Sequence, residues 1–185
     1  MTEAELLHDC LRERAAAQRE LCRRYGGKLF AVCLRYARHR SEAEDFLQDA
    51  FVKIFDKLHT FRGRGSLEGW MRRLTVNVCI QHYRRHAFQR ETIGLDHRPD
   101  AGYDPGIIAR MSADELMDLV RALPDGYRMV FNLYAVEGYS HREIARELGI
   151  SESTSRTQLL KARKTLQRQV HQTYDHEPKP YPKKL

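Results

Sequence analysis

The sequence predicts an all-α protein of two small helical domains joined by a flexible acidic linker, the second domain carrying a helix-turn-helix. Three observations predict it. Strand-type alternation is nearly absent, while the helix-start pattern Ser-x-x-Glu recurs at Ser41/Glu44, Ser112/Glu115 and Ser140/Glu143. In that pattern hydroxyl and carboxylate satisfy free backbone donors reciprocally. Periodicity lapses between Glu91 and Gly106, where Gly94, Pro99, Gly102, Pro105 and Gly106 accumulate, a composition that does not hold a helix. Near the C-terminus a short helical run is followed by Gly149, Ile150 and Ser151 and then by a longer one, which is the helix, glycine turn, helix pattern. The expected division is a domain over 1–90, a linker over 91–111, a domain over 112–172 and a disordered basic tail over 173–185.

A chain of 185 residues has room for two such domains, each near the smallest size that supports its own core. With 42% hydrophobic and 31% charged residues, it can bury cores under a heavily solvated surface. The formal net charge of +7 favours a polyanionic partner, nucleic acid before an anionic membrane. Residues 1–17 alternate acids, arginines and short apolar side chains, with neither the apolar core of a signal peptide nor a membrane span. A cytoplasmic location is expected. Cys10, Cys22, Cys33 and Cys79 show no C-x-x-C spacing and sit within apolar helical patterns, so they read as reduced core residues.

Taken in order, the helix expected over 41–58 has an apolar stripe of Phe46, Leu47, Ala50, Phe51, Ile54 and Leu58. Asp45, Asp49 and Asp56 share its other side with Gln48 at the edge. An acidic face on a basic protein suggests a protein partner, against the plainer reading of a solvated helix face. Next comes a basic, glycine-containing loop, Phe61-Arg62-Gly63-Arg64-Gly65-Ser66, whose serine should cap a helix with Leu67, Trp70, Met71, Leu74 and Val78 facing inward. Arg72, Arg73, Asn77, Tyr83 and Arg84 are expected on the opposite side. Cations interleaved with amide and aromatic groups suit single-stranded DNA, whose phosphates need charge and whose unstacked bases need a π surface. Trp70 falls on the inward stripe, which favours a core role over base stacking. His82 and His86 could present two metal ligands on one helix side, but no third ligand accompanies them. Exposed histidines beside arginines are expected, with no metal and no cofactor.

The linker is acidic between two basic neighbours. Beyond it, Leu123-Pro124 opens a helix with Val130, Phe131, Leu133 and Tyr134, and Gly138 stops it. Ser140 caps a short helix to Leu148, Gly149 supplies a left-handed turn, Ile150 plugs the core and Ser151 caps a longer helix to about Val170. On that last helix Ser155, Leu159, Ala162 and Leu166 form the inward stripe, while Ser153, Arg156, Thr157, Lys161 and Lys164 form a basic, hydroxyl-bearing outer side. Such a side suits a major groove: arginine can contact guanine edges bidentately, serine and threonine take base or phosphate contacts, and lysines suit the backbone.

The stretch from Leu123-Pro124-Asp125-Gly126-Tyr127-Arg128 to Leu133, followed by Glu137-Gly138-Tyr139-Ser140, Glu143-Ile144-Ala145 and Leu148-Gly149-Ile150-Ser151, resembles region four of sigma factors, most closely those of the extracytoplasmic-function group. The family usually continues with Thr, Val and a basic residue where this chain has Thr154-Ser155-Arg156. Ser155 departs at a core-facing position, and its hydroxyl is expected to bond back to the preceding turn. Asp45-Phe46-Leu47-Gln48-Asp49 resembles the part of region two that grips the clamp helices of the polymerase β′ subunit. Trp70-Met71, Leu74, Asn77 and Tyr83-Arg84-Arg85 resemble the part that opens the minus-ten element.

The resemblance implies a non-enzymatic sigma factor. Asp45, Gln48 and Asp49 would bind polymerase; Arg62, Arg64, Arg72, Arg73, Asn77, Tyr83 and Arg84 would bind minus-ten DNA; Ser153, Thr154, Arg156, Thr157, Lys161 and Lys164 would bind the minus-thirty-five element. Its partners would be core RNA polymerase, through β′ clamp helices and β flap, promoter DNA and an anti-sigma factor, with no membrane insertion and a monomer when bound to polymerase. The alternative is a one-component helix-turn-helix transcriptional regulator, which leaves the arginine-rich helix without a task.

Overall fold

The computed structural model describes the backbone of residues 1–90 and 113–174, and side chains over 1–86, 115–170 and 172. The chain divides into two compact units, 1–92 and 93–185. The expected linker and the tail beyond 174 lie outside the described residues, as does the Ser112 cap. Every regular element among the described residues is helical.

The first unit contains α1 (Glu3–Leu11), α2 (Ala15–Tyr36), α3 (Arg40–Lys57), a single 3-10 turn (Leu58–Thr60) and α4 (Leu67–Arg90). Thr2 caps α1 in a reciprocal box with Glu5, through N–H to oxygen distances of 2.8 and 3.2 Å. This is the Ser-x-x-Glu logic carried by a threonine. Leu6, Cys10, Leu21, Leu29, Ile54, Leu58, Leu67 and Met71 form one buried cluster, with Trp70 and Phe61 packed against it. Cys33 and Cys79 are also buried, and all four cysteines are free thiols. Burial pushes the Cys79 thiol well up, with help from a hydrogen bond with Cys33, so Cys79 behaves as a buried hydrophobe.

The expected Ser41/Glu44 cap does not form. α3 begins at Arg40, its N-cap is His39, and His39 Nδ1 accepts from the Glu42 N–H at 3.2 Å. Ser41 is therefore already inside the first turn, where its hydroxyl meets the same imidazole at 3.0 Å.

The second unit contains α5 (Ala113–Arg121), α6 (Asp125–Phe131), a π-helical turn (Asn132–Val136), α7 (His141–Leu148) and α8 (Glu152–Tyr174). Its core joins Val120, Leu123, Ala162 and Leu166, with Leu119, Tyr127 and Phe131 against them. Arg128 is buried at the α5–α6 elbow, where it donates to the carbonyls of Arg121 and Leu123, both at 2.9 Å, and to Asp125 Oδ1 at 2.8 Å. A guanidinium here satisfies carbonyls that the end of α5 leaves without helical partners. The π turn closes through Glu137 N–H to Asn132 O at 3.0 Å, and Gly138 follows at φ +76°.

Candidate nucleic-acid interface

The helix-turn-helix forms as its local signals predict. Ser140 and Glu143 make a reciprocal capping box on α7, and hydrogen bonds from Ser140 hold the Glu143 carboxyl below its ordinary pKa. Gly149 ends α7 at φ +70°, ψ +33°, left-handed backbone that a Cβ would strain. Ser151 Oγ accepts from Thr154 N–H at 3.0 Å and so starts α8. Ile150, expected to plug the core, is half-buried.

Along α8 the stripe Ser155, Leu159, Ala162, Leu166 is buried. Ser153, Thr154, Arg156, Thr157 and Lys164 are exposed on the outer side, and Lys161 is half-buried at its margin. Leu160, which sequence reasoning left out, stands among them 55% exposed; its signal was an apolar residue at i+4 from Arg156. Arg156 pairs with Glu152 one turn before it at 3.1 Å, an exposed pair that is easily exchanged.

Ser155 differs from expectation. Its hydroxyl does not turn to its own helix but meets His141 Nδ1 of α7 at 2.9 Å, and the His141 ring stacks on Tyr134 at 4.7 Å. The two arms of the helix-turn-helix are thus joined by a polar contact inside an apolar seam. Desolvation, reinforced by the Arg156 and Arg163 guanidiniums and opposed by Glu152, pulls the His141 pKa below its ordinary value.

In the first unit the loop before α4 carries Arg62 and Arg64, both exposed, with Gly63 at φ +68° and Gly65 at φ +85°. Ser66 caps α4 by accepting from Gly69 N–H at 3.1 Å. The polar residues of α4 do not share one side. Arg73, Asn77 and Arg84, at i, i+4 and i+11, lie along the outward strip with Gln81. Arg72 and Tyr83, also i and i+11, lie along a second strip with buried Val76 and Cys79 between them. Tyr83 is half-buried there, and burial raises its phenol pKa. The expectation that all five face one way is corrected for a physical reason. Thr75, Val76, Val78, Cys79 and Ile80 are all buried, so the middle of α4 is enclosed and has no single polar side. Trp70 is half-buried, packed against the core cluster with its ring 5.5 Å from that of Phe61.

On α3, Asp45, Gln48, Asp49 and Asp56 are exposed along one strip, with Val52 at its centre 70% exposed. Asp49 is held by His82 of α4, with Oδ2 2.7 Å from Nε2. His82, expected at the surface, is half-buried against the Phe46 ring at 4.5 Å; His86 is exposed as expected. Among the described residues no helix is long and apolar enough to cross a membrane.

Comparison with known proteins fits this two-part arrangement. The sigma-70 region 2 model matches residues 21–89 and the sigma-70 region 4 model matches residues 113–166, so the two together take in more than half of the chain. The chain belongs to the sigma-70 family. Several of the relatives it matches are named as ECF RNA polymerase sigma factors. It is 28% identical over 153 residues to the ECF RNA polymerase sigma factor SigE of Mycolicibacterium smegmatis, which aligns with 80% of this chain but only 59% of SigE's own length. It is 28% identical over 163 residues to the RNA polymerase sigma factor YlaC of Bacillus subtilis, covering 85% of this chain and 94% of YlaC. Among solved structures, the Bartonella quintana sigma factor RpoE, crystallised with the anti-sigma factor NepR, aligns with 86% of this chain and 98% of its own at 17% identity and a TM-score of 0.48.

Proposed function

We propose that this protein binds core RNA polymerase, directs it to promoters and helps open them, without itself catalysing a covalent step. The observation that carries the reading is the presence of regions 2 and 4 in one chain, in that order. On this reading α8 enters the major groove of the minus-thirty-five element with Ser153, Thr154, Arg156, Thr157, Lys161 and Lys164. The loop residues Arg62 and Arg64, with Arg73, Asn77 and Arg84 on the outward strip of α4, take the single-stranded minus-ten element, where phosphates want cations and bases want edge contacts. Arg72 and Tyr83 act from the inner strip, bordering that surface. Asp45, Gln48 and Asp49 meet the β′ clamp helices, and the second unit meets the β flap. Exposed carboxylates around an exposed valine suit a basic helical partner with an apolar centre. The bound form is a monomer on polymerase in the cytoplasm, and an anti-sigma factor competes for it.

The test is a pull-down of the full chain with bacterial core RNA polymerase, followed by run-off transcription on a fragmented genomic library. Stable association and promoter-specific transcripts are expected. Arg156→Ala should weaken upstream duplex binding, and Asp49→Ala should weaken polymerase binding while sparing DNA recognition. Absence of association alongside tight duplex binding would instead support a one-component regulator.

A further inference from the structure

We infer that His82 is a positioning residue for polymerase docking: it fixes the Asp49 carboxylate on the outer strip of α3, although it belongs to α4. The inference rests on the proposed polymerase role of that strip. Asp45, Gln48, Asp49 and Asp56 are all exposed, and among the described residues Asp49 is the member held by a side chain of another helix. Oδ2 of Asp49 lies 2.7 Å from His82 Nε2. The imidazole is poorly placed to move away, because its side chain is only 15% exposed and it lies against the buried Phe46 ring at 4.5 Å. Asp49 itself stays 53% exposed, so one oxygen is anchored while the carboxylate still faces solvent.

An exposed aspartate normally samples several rotamers and loses that freedom when a partner captures it. Here the loss is incurred on folding, and the carboxylate is presented in one orientation. A second link acts beside it: Lys53 of α3 bonds Gln81, the residue before His82. Two successive residues of α4 therefore hold α3. The same helix carries Arg73, Asn77 and Arg84 on its outward strip, so the surface offered to polymerase is set by the helix offered to the melted strand.

The experiment is a double-mutant cycle on the full chain, with dissociation constants for bacterial core RNA polymerase read by competition against labelled wild type. His82→Phe keeps a ring against Phe46 and removes the donor; His82→Gln keeps a side-chain N–H. His82→Phe should bind about fivefold more weakly, the size of a modest coupling between neighbouring groups, and His82→Gln should recover much of that loss. In an Asp49→Ala background His82→Phe should add nothing further. If its effect is the same with and without Asp49, or is absent, the positioning role is overturned. If Asp49→Ala alone binds like wild type, the polymerase reading of the strip fails instead. Should circular dichroism show His82→Phe poorly folded, His82→Leu, equally without a donor, replaces it in the same cycle, and the same additivity decides.

Discussion

Replacing His141 with phenylalanine isolates the polar contact between the arms of the helix-turn-helix. The new ring retains the stack on Tyr134, which the imidazole makes at 4.7 Å, and removes the nitrogen that Ser155 Oγ meets at 2.9 Å. Ser155 is 0% exposed, so water cannot take over. A buried hydroxyl left without its partner costs about 1–3 kcal/mol. A serine within a helix can recover part of this by turning to the carbonyl four residues before it, which places the expected loss at about 1–2 kcal/mol. For a domain of this size that corresponds to a fall in Tm of roughly 5–15 °C. The reciprocal change, Ser155→Val, removes the need rather than the partner. His141 is half-buried and keeps access to water, and the added carbon brings roughly 0.8 kcal/mol of apolar burial against some crowding, so this variant should melt near the wild type. The double variant should then resemble Ser155→Val alone, with a coupling of about 1 kcal/mol. Thermal unfolding followed by far-UV circular dichroism measures this, the transition of the C-terminal unit being the one that Ile144→Ala moves. An unchanged melt for His141→Phe, or losses that simply add, would refute the account.

Other variants test other elements of the same unit. Arg128→Met keeps the apolar stem of the side chain but leaves two carbonyls and Asp125 unanswered at a buried elbow, so chemical denaturation should show a loss of about 3 kcal/mol. Gly149→Ala meets no neighbouring atom within 4 Å and should cost only the left-handed strain, about 1–2 kcal/mol; Gly149→Asn should cost less, as melting curves of the two would show. The lowered His141 pKa sets a pH dependence. As pH falls below the ordinary histidine value of about 6.5, the unfolded chain takes up its proton first, so stability is lost until the folded-state pKa is passed. The difference in melting temperature between wild type and His141→Phe should therefore narrow from pH 7 to pH 5.

What the sequence determined by itself lies within a turn or two of chain. The Ser140/Glu143 box, the left-handed Gly149, the Ser151 cap and the buried stripe of α8 each depend on residues three or four apart, and the structure reproduces them. The same reasoning placed Asp45, Gln48 and Asp49 outward on α3 and Arg156, Thr157 and Lys164 outward on α8. Thr2 and Glu5 carried the same local signal in threonine form.

Tertiary structure decided what local spacing leaves open. The Ser41 pattern was present, but α3 starts at Arg40 and takes His39 as its cap, because several residues near a helix start can accept from its free N–H groups and packing chooses the first turn. The polar residues of α4 were divided between two strips because α2 and α3 both pack against it, and periodicity cannot say how many neighbours a helix will have. Two contacts of consequence, His141 with Ser155 and His82 with Asp49, join residues 14 and 33 apart in sequence. Each depends on how one helix lies on another, a quantity set by the volume of the side chains between them and not written in either helix alone.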